Sequence, residues 1–279
     1  MEALVLGAVA YDDKVVTIWE GFRDWFRSQG LELDYVLYSN YERQVEALVA
    51  GEISVAWNSP LAWARSRRLA AAAGRDVAAV AMRDSDCDLT SVIVVRADGP
   101  VREVADLAGR VVGVGAVDSP QATLIPLGHL AAAGMAPGED FEVRRHDAAV
   151  GKHGDHVGGE RDAARALMAG EVDAACMIDG NHLVFSAQGT LPAGATRVLS
   201  QTPVYDHCNF TVVGPAPASG LLDRFRDLLL GMSYDDPGVR ALLDLEGLKE
   251  WRPGRTGGYG LLERAGRDLG FYDDEGNVT

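Results

Sequence analysis

The sequence predicts an α/β fold of two lobes, each a mainly parallel sheet flanked by helices. Three observations carry this expectation. Apolar runs of strand length alternate with amphipathic helical patterns. The unit ALVAGEISVAW (47–57) returns as ALMAGEVDAAC (166–176), each a helix end, Ala-Gly-Glu and a buried strand. The surrounding order of elements also repeats, and 279 residues at 47% hydrophobic are enough for two modest cores.

The elements follow in order. ALVLGAVAY (3–11) reads as a buried strand, and 17–30 as a helix with Ile18, Phe22, Trp25 and Phe26 on one face and Gly30 closing it. LDYVLYS (33–39) is a strand and YERQVEALVAG (41–51) a helix ended by glycine. ISVAWNS (53–59) is a strand that ends in polar groups, followed by a helix over 61–74 and a strand over 77–82. A second series starts at LTSVIVVRAD (89–98). Strand RVVGVGA (110–116) runs through VDSPQAT into the helical LIPLGHLAAAG (124–134), and FEVRRHD (141–147) enters the polar loop VGKHGDHVGGERD (150–162). Helix 160–170 and strand 172–179 complete this half. TRVLSQT (196–202) and NFTVVGP (209–215) read as strands returning to the first lobe, before helices over 219–233 and 239–248. The expected division is 1–92 with 208–279 as one lobe and 93–207 as the other. Crossings near 90–96 and 203–213 form a two-strand hinge, and the cleft between the lobes is the default ligand site.

Charge and motifs exclude several classes. A formal charge of −15 argues against nucleic acid or an anionic membrane surface as partner. No apolar run approaches the roughly 18 residues of a membrane span. MEALVLGAVAYDD lacks a basic leader region and a cleavage site, so the chain as written reads as cytoplasmic, or as periplasmic if a leader has been removed. Cys87, Cys176 and Cys208 are scattered and odd in number, which argues against a disulfide framework. GVGAVDS lacks the dinucleotide-binding GxGxxG, and GxSxG, Walker A and CxxC patterns are absent.

YERQVEALVAGEISVAWNSPLAW, VADLAGRVVGVGAVDSPQATLIPLGHL and RDAARALMAGEVDAACMID resemble the phosphate/phosphite/phosphonate substrate-binding proteins of ABC transporters, over roughly residues 4–215. The resemblance implies the type II periplasmic-binding-protein fold. It also implies a small polar or anionic, phosphonate-like ligand held between the lobes, and an ABC permease as partner if the protein is exported. Carried onto this chain, the ligand contacts are Tyr11, Tyr41, Asn58 and Ser59 from one lobe, and Ser119, Gln121 and Thr123 from the other. There, backbone N–H groups of a helix N-terminus face a bound oxyanion. Two departures stand out. Pro120, Gln121 and Ala122 replace the family's run of hydroxyl residues, and Glu160 stands about where family members often place a histidine. Lys152, Arg161 or a metal could supply the counter-charge that Glu160 needs beside an anion.

The loop itself leaves three readings open: a metal site, a metal-free ligand loop, or a structural loop. His153, His156 and Glu160, with His207 and Cys208 from YDHCNFT, form a candidate ligand set for zinc or iron. The alternative to a binding protein is a cytoplasmic biosynthetic enzyme on the same fold, with His153, His156 and Glu160 as acid–base or metal-binding catalytic residues. Asp179 and His182 follow a strand's carboxyl end, where α/β folds gather ligand contacts. His129, Cys176, Trp19 and Trp25 read as core. His146 and Cys87 read as exposed, and Trp57 and Trp63 as candidates for a pocket wall.

Overall fold

A computed structural model describes residues 3–148, 150–152, 158–214 and 220–272. The chain divides into two compact units and passes between them after Cys87, after Tyr205 and after Tyr259. The first unit takes in residues up to Cys87 and Asp206–Tyr259; the second takes in Asp88–Tyr205 and Gly260–Tyr272.

In the first unit, strands β1 (Leu4–Val9), β2 (Leu33–Tyr38) and β3 (Val55–Asn58) alternate with helices α1 (Lys14–Ser28), α2 (Tyr41–Ala50) and α3 (Pro60–Ala72). β4 (Val77–Ala79) and β5 (Ala81–Arg83) follow. In the second unit come β6 (Ser91–Arg96), β7 (Val111–Val114), α4 (Ile125–Ala132), β8 (Glu142–Arg145), α5 (Gly158–Ala169), β9 (Ala174–Ile178), α6 (Asp179–Ala187) and β10 (Thr196–Gln201). The chain then returns to the first unit for β11 (Asn209–Val213), α7 (Leu221–Leu230), α8 (Pro237–Glu246) and β12 (Trp251–Pro253). α9 (Gly260–Asp268) closes the second unit.

The sheets are mixed. The first runs β2-β1-β3-β11-β4, parallel through β2-β1-β3, with β11 antiparallel to both neighbours. The second runs β10-β6-β9-β7-β8, parallel through β9-β7-β8. Thus β11 returns to the first unit as expected, whereas β10 stays in the second, where Thr196–Gln201 pairs antiparallel with β6. The C-terminal stretch also differs from the expected division. α9 joins the second unit because small residues let it approach α4: a Cβ on Gly128 would lie 2.7 Å from the Ala265 Cβ. Beyond it, Leu269 packs on the apolar cluster of Ile93, Val112, Val114 and Leu130.

The first core is aromatic. Trp19, Phe22, Phe26, Trp57, Phe210, Phe225 and Trp251 are all buried, and Phe26 stacks on Phe225 with ring centroids 5.0 Å apart. Trp57 is therefore part of the core, 4.7 Å from Phe210, rather than an open wall. Trp63 is likewise buried, 5.6 Å from the Tyr259 ring. Cys176 is buried in β9, as expected, and its thiol is pushed up to about 12 by burial and then by Glu160. His146 and Cys87 are half-buried rather than exposed, because their side chains meet backbone carbonyls of Val114 and Arg83. No helix among the described residues is long and apolar enough to cross a membrane.

Candidate functional site

β1 lies between β2 and β3, so the turns after these three strands are neighbours. Tyr11 follows β1, half-buried, with Lys14 Nζ 5.8 Å from its ring centre. Tyr41 opens α2, whose N-cap Asn40 accepts from Arg43 N–H at 2.9 Å. Asn58 ends β3, and Ser59 caps α3 by accepting from Ala62 N–H at 3.2 Å. Tyr41 and Ala62 belong to one apolar cluster, which holds the starts of α2 and α3 together. The first unit thus presents two capped helix N-termini beside one another, an arrangement whose N–H groups and dipoles favour an anion.

Gln44 was not singled out in the sequence, yet it sets this arrangement. Its buried amide donates to Trp57 O and to Asn58 Oδ1, both at 2.8 Å. Asn58 in turn donates to Ser66 Oγ at 3.2 Å, tying α2, β3 and α3 into one network. The only sequence signal was a glutamine among apolar positions of α2. Ser59→Ala should lower the stability of this unit by about 0.5–2 kcal/mol in a urea unfolding curve, the usual cost of a lost N-cap.

In the second unit β7 lies between β9 and β8. Ser119 follows β7 and caps a single π turn, Pro120–Leu124, that runs into α4. π turns are rare and frequently occur at functional sites. The hydroxyls and amide here are already used within the chain. Ser119 Oγ accepts from Ala122 N–H, Thr123 Oγ1 donates to Ala116 O at 2.7 Å, and the Gln121 amide donates to Glu160 Oε1 at 3.2 Å.

Glu160 is the hub of this end of the unit. Its Oε2 accepts from Ile178 N–H at 3.0 Å and from Asn181 Nδ2 at 2.9 Å, and the residue is 2% exposed. One carboxylate therefore joins α5, the end of β9, the start of α6 and the π turn. Gly159 makes this possible: a Cβ there would lie 2.6 Å from His146 O and 3.2 Å from Gly115 Cα, so only glycine lets α5 begin against the β7 backbone. Asp179 opens α6 and accepts from Thr90 Oγ1 at 2.8 Å. His182, one turn on, lies 3.5 Å from Thr196 Oγ1, and partial burial lowers its pKa. His129, on α4, meets Ser200 Oγ at 2.8 Å, in keeping with a structural role.

His153 and His156 lie outside the described residues. Of the other expected metal ligands, Glu160 belongs to the second unit and His207 and Cys208 to the first. Near those two, Asp86 completes a group whose ligand atoms lie within 4.8 Å of one another. His207 Nδ1 is 3.1 Å from Cys208 Sγ and 3.4 Å from Asp86 Oδ1. A soft divalent ion could use these donor types. The fit is poor because a cation already holds the carboxylate: Arg83 donates to both Asp86 oxygens, at 2.5 and 3.0 Å, and to Glu246 Oε1 at 3.2 Å. Burial alone would raise the Asp86 carboxyl, but the guanidinium, helped by His207, outweighs it and holds the group at about 2. The cluster is an ion-paired cross-link of the first unit.

The family model for the ABC transporter, phosphonate, periplasmic substrate-binding protein matches residues 7–257. The chain belongs to this family. Among solved structures it is similar to PhnD1 from Prochlorococcus marinus in complex with methylphosphonate, at 18% identity and a TM-score of 0.70, covering 96% of this chain and 98% of that one. XAC2383 from Xanthomonas citri, bound to chloride ion, is similar at 16% identity and a TM-score of 0.70, covering 96% and 99%. The aliphatic sulphonate binding protein SsuA from Escherichia coli follows at 19% identity and a TM-score of 0.56, covering 96% and 91%. At these identities the structures speak to fold alone, and they agree with the type II periplasmic-binding-protein fold expected from the sequence. No curated protein matches the sequence. The family is a binding family, which favours the receptor over the enzyme among the two expectations.

Proposed function

We propose that the protein is a receptor for a small phosphonate-like anion, bound at the helix N-termini that follow the parallel strands, and that it delivers this ligand to an ABC permease. The observation that carries the reading is the family match, which spans both units. The capped starts of α2 and α3 support it, because their N–H groups suit an oxyanion without a cationic side chain. In a protein of charge −15, such local dipoles have to do what net charge does not. On this reading Tyr11, Tyr41, Asn58 and Ser59 serve the ligand from the first unit. Ser119, Gln121, Thr123, Asp179 and His182 shape the corresponding end of the second.

Thermal unfolding with methylphosphonate, inorganic phosphate and an alkylsulphonate tests the proposal. A ligand at about 100 times its Kd stabilises the folded state by about 2.7 kcal/mol, so a clear rise in Tm is expected with the phosphonate. An unchanged Tm with all three at millimolar concentration would sink it.

A further inference from the structure

The second unit holds a cavity of about 250 Å³ between α4, β8 and the stretch that follows α9, with Leu124, Leu127, Val143, Arg145 and Phe271 in its wall. The strand pattern explains its make-up. β8 is the edge strand of the second sheet, and Val143 and Arg145, two residues apart, stand on one face of it. Val143 packs there on the apolar cluster of Val112, Val114, Leu127 and Leu130, as does Leu269. Arg145 thus takes a place where that face would continue with another apolar side chain. It is exposed, and among the described residues its guanidinium has no hydrogen bond or ion pair. The adjacent Arg144, on the other face, is committed: it donates to Glu171 O at 2.6 Å and to Glu142 Oε1 at 3.0 Å. Carboxylates are not scarce, since the chain has 41 acidic against 26 basic side chains. Thr123, which also lines the cavity, spends its hydroxyl on Ala116 O at 2.7 Å. Arg145 is therefore the polar side chain left to meet a ligand.

An apolar cavity with a single charged group at its wall has the make-up of a small-molecule site. We infer that it is a second ligand site, which takes a short aliphatic carboxylate with its hydrocarbon body among Leu124, Leu127, Val143 and Phe271 and its acid on Arg145. Size and chemistry select this class. The volume lies below the roughly 300–1,000 Å³ usual for drug-sized ligands, so the occupant is small. One planar guanidinium matches one carboxylate through two parallel N–H···O bonds. A phosphonate dianion needs further donors, which these apolar walls do not supply. Of the residues assigned to the phosphonate, only Thr123 also lines this cavity, so the inference does not depend on the receptor reading.

The test titrates hexanoate and hexanol, which share one hydrocarbon body, into the isotope-labelled full chain and follows the amide shifts. Saturable changes are expected at residues 127, 143, 145 and 269–271, with hexanoate bound at least about tenfold more tightly than hexanol. Arg145→Gln, a change at an exposed position, should remove that preference and leave hexanol affinity within about threefold. Equal affinities in the wild-type protein overturn the inference, and that comparison needs no variant to fold. So does the absence of saturable change with hexanoate at millimolar concentration, where so small a ligand should occupy such a site. A preference that survives in Arg145→Gln, or changes confined to residues 41–43 and 61–63, overturns it as well. Each of these outcomes leaves the receptor reading to its own test with methylphosphonate.

Discussion

Arg83→Ala should destabilise the first unit by about 3–5 kcal/mol, the range for a buried ion pair stripped of one partner. The side chain of Arg83 is 18% exposed and holds Asp86 and Glu246, whose side chains are 2% and 3% exposed. Removing the guanidinium leaves two buried carboxylates with no cation between them. It also removes the bond to Glu246 O that fastens the end of α8 to β5. The same network sets a pH dependence. The folded carboxyl of Asp86 sits at about 2, below its ordinary value of 3.8. Its contribution to stability is therefore complete above about pH 4 and is lost as the pH falls towards 2. Urea unfolding across that window should show the loss in the wild-type protein, of order 2 kcal/mol. Arg83→Ala should show little of it, because its Asp86 no longer has a depressed pKa.

Glu160→Ala should be comparably damaging in the second unit. It leaves the Gln121 amide, the Ile178 N–H and the Asn181 amide without their acceptor. Each buried donor left unpaired costs about 1–3 kcal/mol, so a total near 3–5 kcal/mol is expected. Glu160→Gln keeps the shape and one acceptor and should cost less. Hydrogen exchange reads the mechanism directly: the Ile178 amide should lose protection in Glu160→Ala well beyond the amides of β6. If that amide exchanges as slowly as before, the hub role assigned to Glu160 is wrong.

Much of this architecture was legible in the sequence because it is local. Period-two and helical patterns, with glycine at the ends of helices such as Gly51 at φ 80°, located most elements of both units to within a few residues, though not α6, β12 or α9. The repeated Ala-Gly-Glu unit correctly announced two similar halves. What was not legible depends on distant pairing. Nothing in TRVLSQT shows that it pairs with β6 rather than with the first sheet, since either would accept its alternation. Likewise α9 is assigned by the fit of Ala265 against Gly128, which no periodicity reveals.

The site divides in the same way. Tyr41, Asn58, Ser59 and Ser119 were marked through the family resemblance, which implies ligand contacts at these places. Gln44, Arg83 and Asp86 were not. A charged run such as RDSDCD reads as solvated loop, and only the fold shows that Asp86 is enclosed with Arg83 and Glu246. Glu160 was marked for a different reason, its place beside the histidines, and the structure shows it spending its acceptors on its own chain.

The central claim is that the helix N-termini after the parallel strands hold the ligand. The most direct measurement is the amide chemical-shift change on titrating methylphosphonate into the isotope-labelled protein. The account predicts that the largest changes fall at the starts of α2 and α3 and in the π turn, at residues 41–43, 61–63 and 121–124. Changes confined to other places, such as the 96–100 turn, or no change at saturating ligand, would contradict it.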